Sequence, residues 1–332
     1  MTKVRVIKRI RDISKLVRLP NLVIIALTQY AMRYLLMEPL LPSADFALQF
    51  GDLQFGMLVF STMLIAAAGY IINDYFDTRT DLINKPSDVV VGMSISRRQA
   101  ITMHAILNII GIGFGIYLSF YIKLPSLSLI FLLATGLLWF YSTNYKRQFL
   151  IGNLIVSFLT ALVPLMVVLF EIPLLNTAYG EIMLGHQASF IYIFAWVAGF
   201  SFFAFVTTLI REIIKDSEDF KGDAAYGMKT LPIVLGTKAT KGILSGMIIL
   251  TMAALVFLLL RYIMFSGEHI DYLSFTYFLV CLLIPFLILL ILILRAGNKQ
   301  DYHRASNLIK SIMLAGIMYS ALVFYILNFR VA

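Results

Sequence analysis

The sequence has little of what soluble and disulfide-bonded proteins depend on. Only 14% of its 332 residues are charged, whereas a soluble domain carries about 25%. The one cysteine, Cys281, excludes a disulfide within the chain and a metal cluster held by several cysteines. These shortages, with 60% hydrophobic residues and a mean hydropathy of +0.88, indicate a membrane protein.

Apolar runs recur along the whole chain, and each is long enough to cross a hydrocarbon core about 30 Å thick. We predict an all-α, polytopic membrane protein whose nine transmembrane helices form a bundle around a central cavity, with two pseudo-repeated halves. Residues 1–332 are predicted to be a single transmembrane domain, beginning with a basic cytoplasmic segment at 1–18. The predicted spans are 20–41, 53–73, 100–122, 126–141, 149–170, 189–210, 241–264, 273–294 and 307–327, and residues 171–188 are predicted to be an outer loop.

The distribution of basic residues predicts the orientation of the spans. With a cytoplasmic N-terminus, all but four of the 27 Lys and Arg residues fall in cytoplasmic segments or at their borders. Such a bias is typical of a multi-pass protein, here expected in the cell inner membrane. The net charge of +9 is then explained by orientation and by attraction to anionic membrane lipids, without nucleic acid. The four basic residues outside the cytoplasmic segments are Arg33, Lys123, Arg261 and Arg330. No obligate protein partner is evident.

Two acidic clusters follow apolar spans on the predicted cytoplasmic side. The sequence "NDYFDTRTD" covers residues 73–81, and "REIIKDSEDFKGD" covers residues 211–223. Residues three and four apart share one face of a helix, so each cluster is predicted to form an acidic face. Because repeated halves often form a site at their interface, we expect both faces to line one cavity. The predicted metal ligands are Asn73, Asp74, Asp77 and Asp81 in the first cluster and Asp216, Asp219 and Asp223 in the second.

Carboxylates packed this closely at a membrane boundary need a cation or buried bases to offset their repulsion. Oxygen ligands without a nearby His or Cys favour Mg²⁺, which typically binds one or two carboxylates together with substrate phosphates. Nearby bases would neutralise the charge that develops on a diphosphate leaving group. The bases on the same predicted side are Arg79, Lys85, Lys146, Arg147, Arg211, Lys215 and Lys229.

A diphosphate ester in a bilayer has a long apolar tail, which could lie among the spans. Loss of diphosphate from an allylic isoprenoid leaves a carbocation, which needs a water-poor pocket and aromatic faces. The sequence "LLWFYSTNYKR" at residues 137–147 supplies Trp139, Phe140, Tyr141 and Tyr145 beside Lys146. By contrast, "GIGFG" at residues 111–115 lies within an apolar span, and we interpret it as a site of close helix packing.

These motifs together resemble the UbiA superfamily of intramembrane prenyltransferases. The first cluster matches the family pattern N-D-x-x-D-x-x-x-D, and Asp219 and Asp223 match D-x-x-x-D. The elements "YSTNYK", "GMKT" and "RLPN" are also similar to the family. The resemblance implies Mg²⁺-dependent transfer of a prenyl group from a polyprenyl diphosphate to an acceptor.

The resemblance also implies a role for each matching residue. The aspartates and Asn73 would hold Mg²⁺ and diphosphate, and Tyr141 would face the reacting allylic carbon, so that Asp77, Asp81, Asp219, Asp223 and Tyr141 are the expected catalytic residues. The residues expected to bind the diphosphate are Asn21, Asn73, Arg79, Lys146, Arg211 and Lys229.

The acceptor and the class of protein have alternatives. The motifs look most like the branch that prenylates geranylgeranylglyceryl phosphate, but Asp88 and Val89 stand where family members commonly continue with a second Arg. Arg97 or Arg98 could substitute for that base. Aromatic quinone precursors such as 4-hydroxybenzoate or 1,4-dihydroxy-2-naphthoate stay open as acceptors. A cation-coupled transporter is the alternative from another class, although its acids would be expected nearer the membrane centre. An alcohol phosphatidyltransferase is disfavoured because its D-G-x-x-A-R motif is missing.

Overall fold

A computed structural model describes residues 2–41, 45–84, 86–185, 189–264 and 270–329. Within these ranges the chain is helical and has no β-strand, which confirms the predicted all-α class. The helices are α1 (Thr2–Leu16), α2 (Leu19–Tyr30), α3 (Asp52–Asn84), α4 (Arg97–Tyr121), α5 (Ser128–Thr143), α6 (Ile151–Gly185), α7 (Ile191–Glu218), α8 (Phe220–Ala225), α9 (Leu231–Leu258), α10 (Tyr272–Tyr277), α11 (Ile284–Arg295) and α12 (Lys299–Phe329). Three π-helical segments, Ala31–Met37, Leu259–Met264 and Phe278–Leu283, extend α2 and α9 and join α10 to α11.

Eight helical segments among the described residues are long and apolar enough to cross a membrane. They coincide with eight of the nine predicted spans. The first predicted span, 20–41, is helical over α2 and the π-helical segment that follows it, but it is not among the eight. The count of nine therefore stays a prediction. Lys85, one of the predicted bases, and Arg330 lie outside the described residues.

The prediction of an outer loop at 171–188 is wrong over most of its length, because α6 continues to Gly185. Glu171 is fully buried in this helix and forms a 2.5 Å ion pair with Arg33, which is also buried. The Glu171 carboxylate also accepts hydrogen bonds from the backbone N–H groups of Gln49 and Phe50, at 2.5 and 3.0 Å. The two charges compensate each other away from water, so an acidic residue here does not mark a loop.

By contacts the chain falls into two compact units. The first contains Met1–Lys146 and Leu162–Ala198, and the second contains Arg147–Ala161 and Gly199–Ala332. In the first unit, a buried cluster joins the end of α1 to α3, to the loop after α3 and to the start of α4. Its members are Leu16, Ile71, Val90, Val91, Ile95 and Ala100. This cluster supports the part of α3 that carries the first acidic motif.

The interpretation of "GIGFG" as a site of close helix packing is confirmed at two of its three glycines. A Cβ atom at Gly111 would lie 2.9 Å from the Ile65 side chain, and one at Gly115 would lie 2.4 Å from the Phe131 ring. A Cβ atom at Gly113 would meet nothing within 4 Å. Gly111 and Gly115 are four residues apart and lie on the packed face of α4, whereas Gly113 lies on another face.

In the second unit, α7 ends at Glu218 and the short helix α8 begins at Phe220. Asp219 lies at this break, with φ −93° and ψ 6°. The second acidic cluster is therefore divided between two helices, with the break at Asp219. That Asp216, Asp219 and Asp223 share a face stays a prediction. Two residues before the bend, Ser217 donates to the Ile213 carbonyl at 3.1 Å, a side-chain contact of the kind that often bends a helix.

Candidate functional site

The first acidic cluster lies entirely on α3, as its spacing predicts. This helix continues without interruption to Asn84, and therefore presents Asn73, Asp74, Asp77 and Asp81 on its last three turns. The side chains of Asp74 and Asp77 are 19% and 15% exposed, so both carboxylates are largely shielded from water. Shielded carboxylates need nearby positive charge, and each of these two has a base beside it.

Asp74 pairs with Arg18, at the junction between α1 and α2. The guanidinium donates to the Asp74 carboxylate at 3.0 Å and lies 4.8 Å from the centre of the Tyr70 ring. Asn21 donates to the Tyr70 hydroxyl at 3.3 Å. Burial lowers the pKa of Arg18, but Asp74 and Tyr70 more than offset this, so the pKa of Arg18 is raised. The "RLPN" element is thus connected to α3 directly before and within the acidic motif.

Asp77 pairs with Lys146, which follows α5. The Lys146 side chain is only 7% exposed and donates directly to the Asp77 carboxylate. This contact brings together two residues that the sequence predicts at one site, although they are 69 positions apart. Tyr141 is half-buried near the end of α5 and interacts electrostatically with Arg18. The structure therefore groups Tyr141, Lys146 and the first acidic motif in the first unit.

Other predicted residues of this unit lie nearby in different environments. Asp81 is half-buried one turn beyond Asp77, whereas Arg79 is exposed on α3. The Arg97 guanidinium lies 4.0 Å from the centre of the Tyr75 ring, next to Asp74 in sequence. Arg98 instead lines a separate cleft beside α1.

The second acidic cluster surrounds Asp216 in the second unit. Asn153 donates to the Asp216 carboxylate at 2.8 Å, and the carboxylates of Glu212 and Asp223 lie near enough to repel it. Asp223 is buried and Asp219 is half-buried. Glu212, Asp216 and Asp223 therefore interact electrostatically around the end of α7 and α8, and the Asn153 amide supports Asp216.

The predicted bases of this unit differ in their contacts. Arg211 pairs with Glu212 at 2.6 Å. The Lys229 side chain is exposed, while its backbone N–H donates to the Arg147 carbonyl at 2.9 Å. Lys229 is thereby fixed beside the segment that follows Lys146 in sequence.

A direct metal centre is not formed by the side chains as they stand. Among the described residues, no group of three or more His, Cys, Asp or Glu side chains converges closely enough to hold an ion. The physical reason in the first cluster is that Asp74 and Asp77 turn to different bases. The donor set nevertheless fits Mg²⁺, because it consists of oxygen atoms. In addition, the Asn73 Oδ1 atom is buried and has no hydrogen-bond partner within the described part of the chain.

Three residues that bond to the predicted ligands or act on them electrostatically were not predicted as site residues. Arg18 lies in the "RLPN" element, but in the sequence it cannot be distinguished from the other basic residues of the N-terminal segment. Glu212 precedes Asp216 by four residues, a spacing that could have revealed it. Asn153 lies 63 positions from Asp216 in an apolar helix, and no local signal connects the two.

Comparison with known proteins defines the class. The chain matches the UbiA prenyltransferase family over residues 36–323 and belongs to that family. It is therefore a prenyl-transferring enzyme, and the eight long apolar helices among its described residues make it an integral membrane protein. Family membership also decides against the transporter alternative.

The relatives give a narrower comparison. The chain is 32% identical to the digeranylgeranylglyceryl phosphate synthase of Korarchaeum cryptofilum over 257 residues, which are 77% of this chain and 80% of that protein. It is also 32% identical to the enzyme of the same name from Methanothermobacter thermautotrophicus, over 80% of this chain and 83% of that one.

Solved structures show the same fold at lower identity. A digeranylgeranylglyceryl phosphate synthase structure aligns with a TM-score of 0.62 at 22% identity, covering 95% of this chain and 99% of that one. A UbiA homologue from Archaeoglobus fulgidus, bound to GPP and Mg²⁺, aligns with a TM-score of 0.54 at 14% identity, covering 94% and 99%. The predicted resemblance to the superfamily is confirmed.

Proposed function

We propose that the enzyme transfers a geranylgeranyl-type group from its diphosphate to geranylgeranylglyceryl phosphate, in a Mg²⁺-dependent reaction. The observation that carries this proposal is the alternation of shielded carboxylates and bases on one helix end, where Arg18 pairs with Asp74 and Lys146 pairs with Asp77. A diphosphate can take such bases as partners while cations bind the carboxylates. The acceptor follows the relatives of 32% identity, which are named as synthases of digeranylgeranylglyceryl phosphate.

The first step would be heterolysis of the allylic C–O bond, with both electrons leaving on the diphosphate. The free hydroxyl of the acceptor would then form the new C–O bond to that carbon and give its proton to the diphosphate. Mg²⁺, when bound, would supply positive charge to the leaving group. The oxygen atoms proposed to hold it belong to Asn73, Asp74, Asp77 and Asp81 in the first unit and to Asp216, Asp219 and Asp223 in the second. The proposed diphosphate-binding side chains are Asn21, Asn73, Arg79, Lys146, Arg211 and Lys229.

The residues of α5 would protect the allylic cation. The Trp139 ring packs edge-to-face against Phe76, with centroids 6.1 Å apart, and lies 5.5 Å from the His104 ring. Tyr141 follows two positions later and is proposed to face the reacting carbon. Its aromatic face would stabilise positive charge there, while the apolar surroundings exclude water.

The orientation is proposed from the basic residues. A cytoplasmic N-terminus places the bases of both motifs on the cytoplasmic side, where soluble diphosphate can leave after reaction. We therefore propose that the site opens towards the cytoplasm.

The acceptor is tested by product identification. Purified enzyme is incubated with labelled geranylgeranyl diphosphate, Mg²⁺ and one acceptor at a time: geranylgeranylglyceryl phosphate, 4-hydroxybenzoate or 1,4-dihydroxy-2-naphthoate. We expect a prenylated product with the glycerophosphate acceptor alone. A product formed only with an aromatic acceptor would reject the proposed acceptor while leaving prenyl transfer intact.

A further inference from the structure

A cleft between α1 and α4 lies in the first unit and uses none of the proposed catalytic residues. Its volume is about 310 Å³. Arg9 from α1 and Arg98 from α4 contribute guanidinium groups, and Ile13, Ile95 and Met103 contribute apolar surface. None of the lining side chains is acidic. The cleft thus combines two positive charges with a hydrocarbon wall.

The apolar wall is part of the packed interior, whereas the charges are accessible. Ile95 belongs to the buried cluster of the first unit, and Ile13 and Met103 pack against that cluster. Arg9 and Arg98 are both exposed. A ligand that fits this arrangement has an anionic group for the two guanidinium groups and a hydrocarbon portion that continues along the wall.

We propose that this cleft binds the phosphate headgroup of an anionic membrane phospholipid. Arg98 is the second residue of α4, a helix that is apolar enough to cross a membrane, so its guanidinium lies where the span begins. Phospholipid phosphates lie at this level, and Arg binds them through paired N–H donors. The basic helix α1 brings Arg9 to the same boundary, as expected of a helix at a membrane surface.

The proposed lipid would connect α1 to α4 and so hold the N-terminal segment in place. The α1 helix ends at Leu16, and two residues later the backbone of Arg18 adopts a left-handed conformation, with φ 52° and ψ 55°. The same Arg18 pairs with Asp74. A lipid bound at Arg9 and Arg98 therefore stabilises the segment that carries Arg18. This proposal does not depend on the identity of the acceptor.

The test uses delipidated full-length protein in detergent, with phosphatidylglycerol as the probe. Bound lipid is counted by native mass spectrometry, and the thermal midpoint is measured in parallel. We expect phosphatidylglycerol to bind and to raise the midpoint, and Arg9→Ala/Arg98→Ala to weaken binding by about tenfold or more. The matched control is Arg11→Ala/Arg304→Ala, which removes two exposed cations outside the cleft. Arg11 lies on the opposite side of α1 from Arg9, and Arg304 lies on α12.

Two other results would overturn the proposal, and a second variant covers a failure to fold. Equal loss of binding in both double variants would show general charge attraction and overturn the site. Stabilisation by phosphatidylcholine or inorganic phosphate equal to that by phosphatidylglycerol would overturn an anionic lipid as the ligand. If the alanine variant fails to fold, Arg9→Lys/Arg98→Lys provides the test. This variant keeps both charges but loses the paired N–H donors of arginine. We therefore expect it to bind phosphatidylglycerol more weakly than the wild type does. Binding equal to that of the wild type would overturn the proposal.

Discussion

The Lys146 ammonium group donates to the Asp77 carboxylate, and this contact joins the end of α5 to the acidic motif of α3. We predict that Lys146→Met raises the KM for the prenyl diphosphate by about tenfold, because a charge-assisted contact contributes about 1.5–3 kcal/mol. Steady-state kinetics at varied diphosphate concentration measure the effect. Lys238→Met, which removes an exposed lysine from α9, is the control. An unchanged KM in Lys146→Met would reject the proposed contact with substrate.

Asn153 is predicted to position Asp216 for binding a cation. It donates to the Asp216 carboxylate at 2.8 Å, and Glu212 and Asp223 repel that carboxylate. Supporting donors of this kind typically contribute tenfold or more to metal affinity, so Asn153→Leu should raise the Mg²⁺ concentration for half-maximal activity by about tenfold. Saturating Mg²⁺ should restore most of the activity. Asn328→Leu, near the end of α12, should leave the Mg²⁺ midpoint unchanged, and an equal midpoint in Asn153→Leu would refute the role.

The buried pair of Arg33 and Glu171 is predicted to govern stability. Glu171→Ala removes the buried carboxylate beside Arg33 and leaves only the exposed Asp52 carboxylate, 3.5 Å from the guanidinium, so it should lower the free energy of unfolding by about 3–5 kcal/mol. The measurement is thermal or denaturant unfolding in detergent. Glu181→Ala, on the same helix but exposed, should change stability by less than about 0.5 kcal/mol. Equal stability of the two variants would contradict the importance of the pair.

Two glycines of α4 provide a matched test of helix packing. Gly115→Ala places a Cβ atom against the Phe131 ring and should cost about 1–3 kcal/mol. Gly113→Ala meets open space and should be neutral or slightly stabilising, because alanine favours the helix by up to about 1 kcal/mol. Thermal midpoints of both variants check the difference. A more stable Gly115→Ala variant would show that α4 and α5 are not packed as described.

The sequence predicts best where a pattern repeats locally. Long apolar runs predict the spans, and the spacing of Asp74 and Asp77 predicts a continuous helical face because both lie on the regular helix α3. The spacing does not predict the break at Asp219, since helical periodicity carries no information about where a helix breaks. The end of α6 is also predicted wrongly, because Glu171 suggests a loop but is paired with Arg33 inside the fold.

Long-range contacts are the part that no local pattern contains. From its sequence neighbourhood Glu171 is predicted to lie in a loop. In the structure it pairs with Arg33, which is 138 positions away. Asn153 similarly has no signal in its own neighbourhood. Lys146 is the exception, because the family resemblance predicts its role and the structure brings it to Asp77. Packing geometry decides such pairs, and it becomes visible only in three dimensions.

The central claim is that the aspartates of both motifs support Mg²⁺-dependent loss of diphosphate. The most direct measurement is diphosphate release from geranylgeranyl diphosphate by Asp77→Asn, Asp219→Asn and the control Asp52→Asn, with and without Mg²⁺. Asp52 lies at the opposite end of α3 from Asp77, with a side chain that is 84% exposed. We predict that release falls by at least about a hundredfold in the two motif variants and in wild type without Mg²⁺, and is retained in Asp52→Asn. Full release by folded Asp77→Asn or Asp219→Asn, or by wild type without Mg²⁺, would contradict the claim.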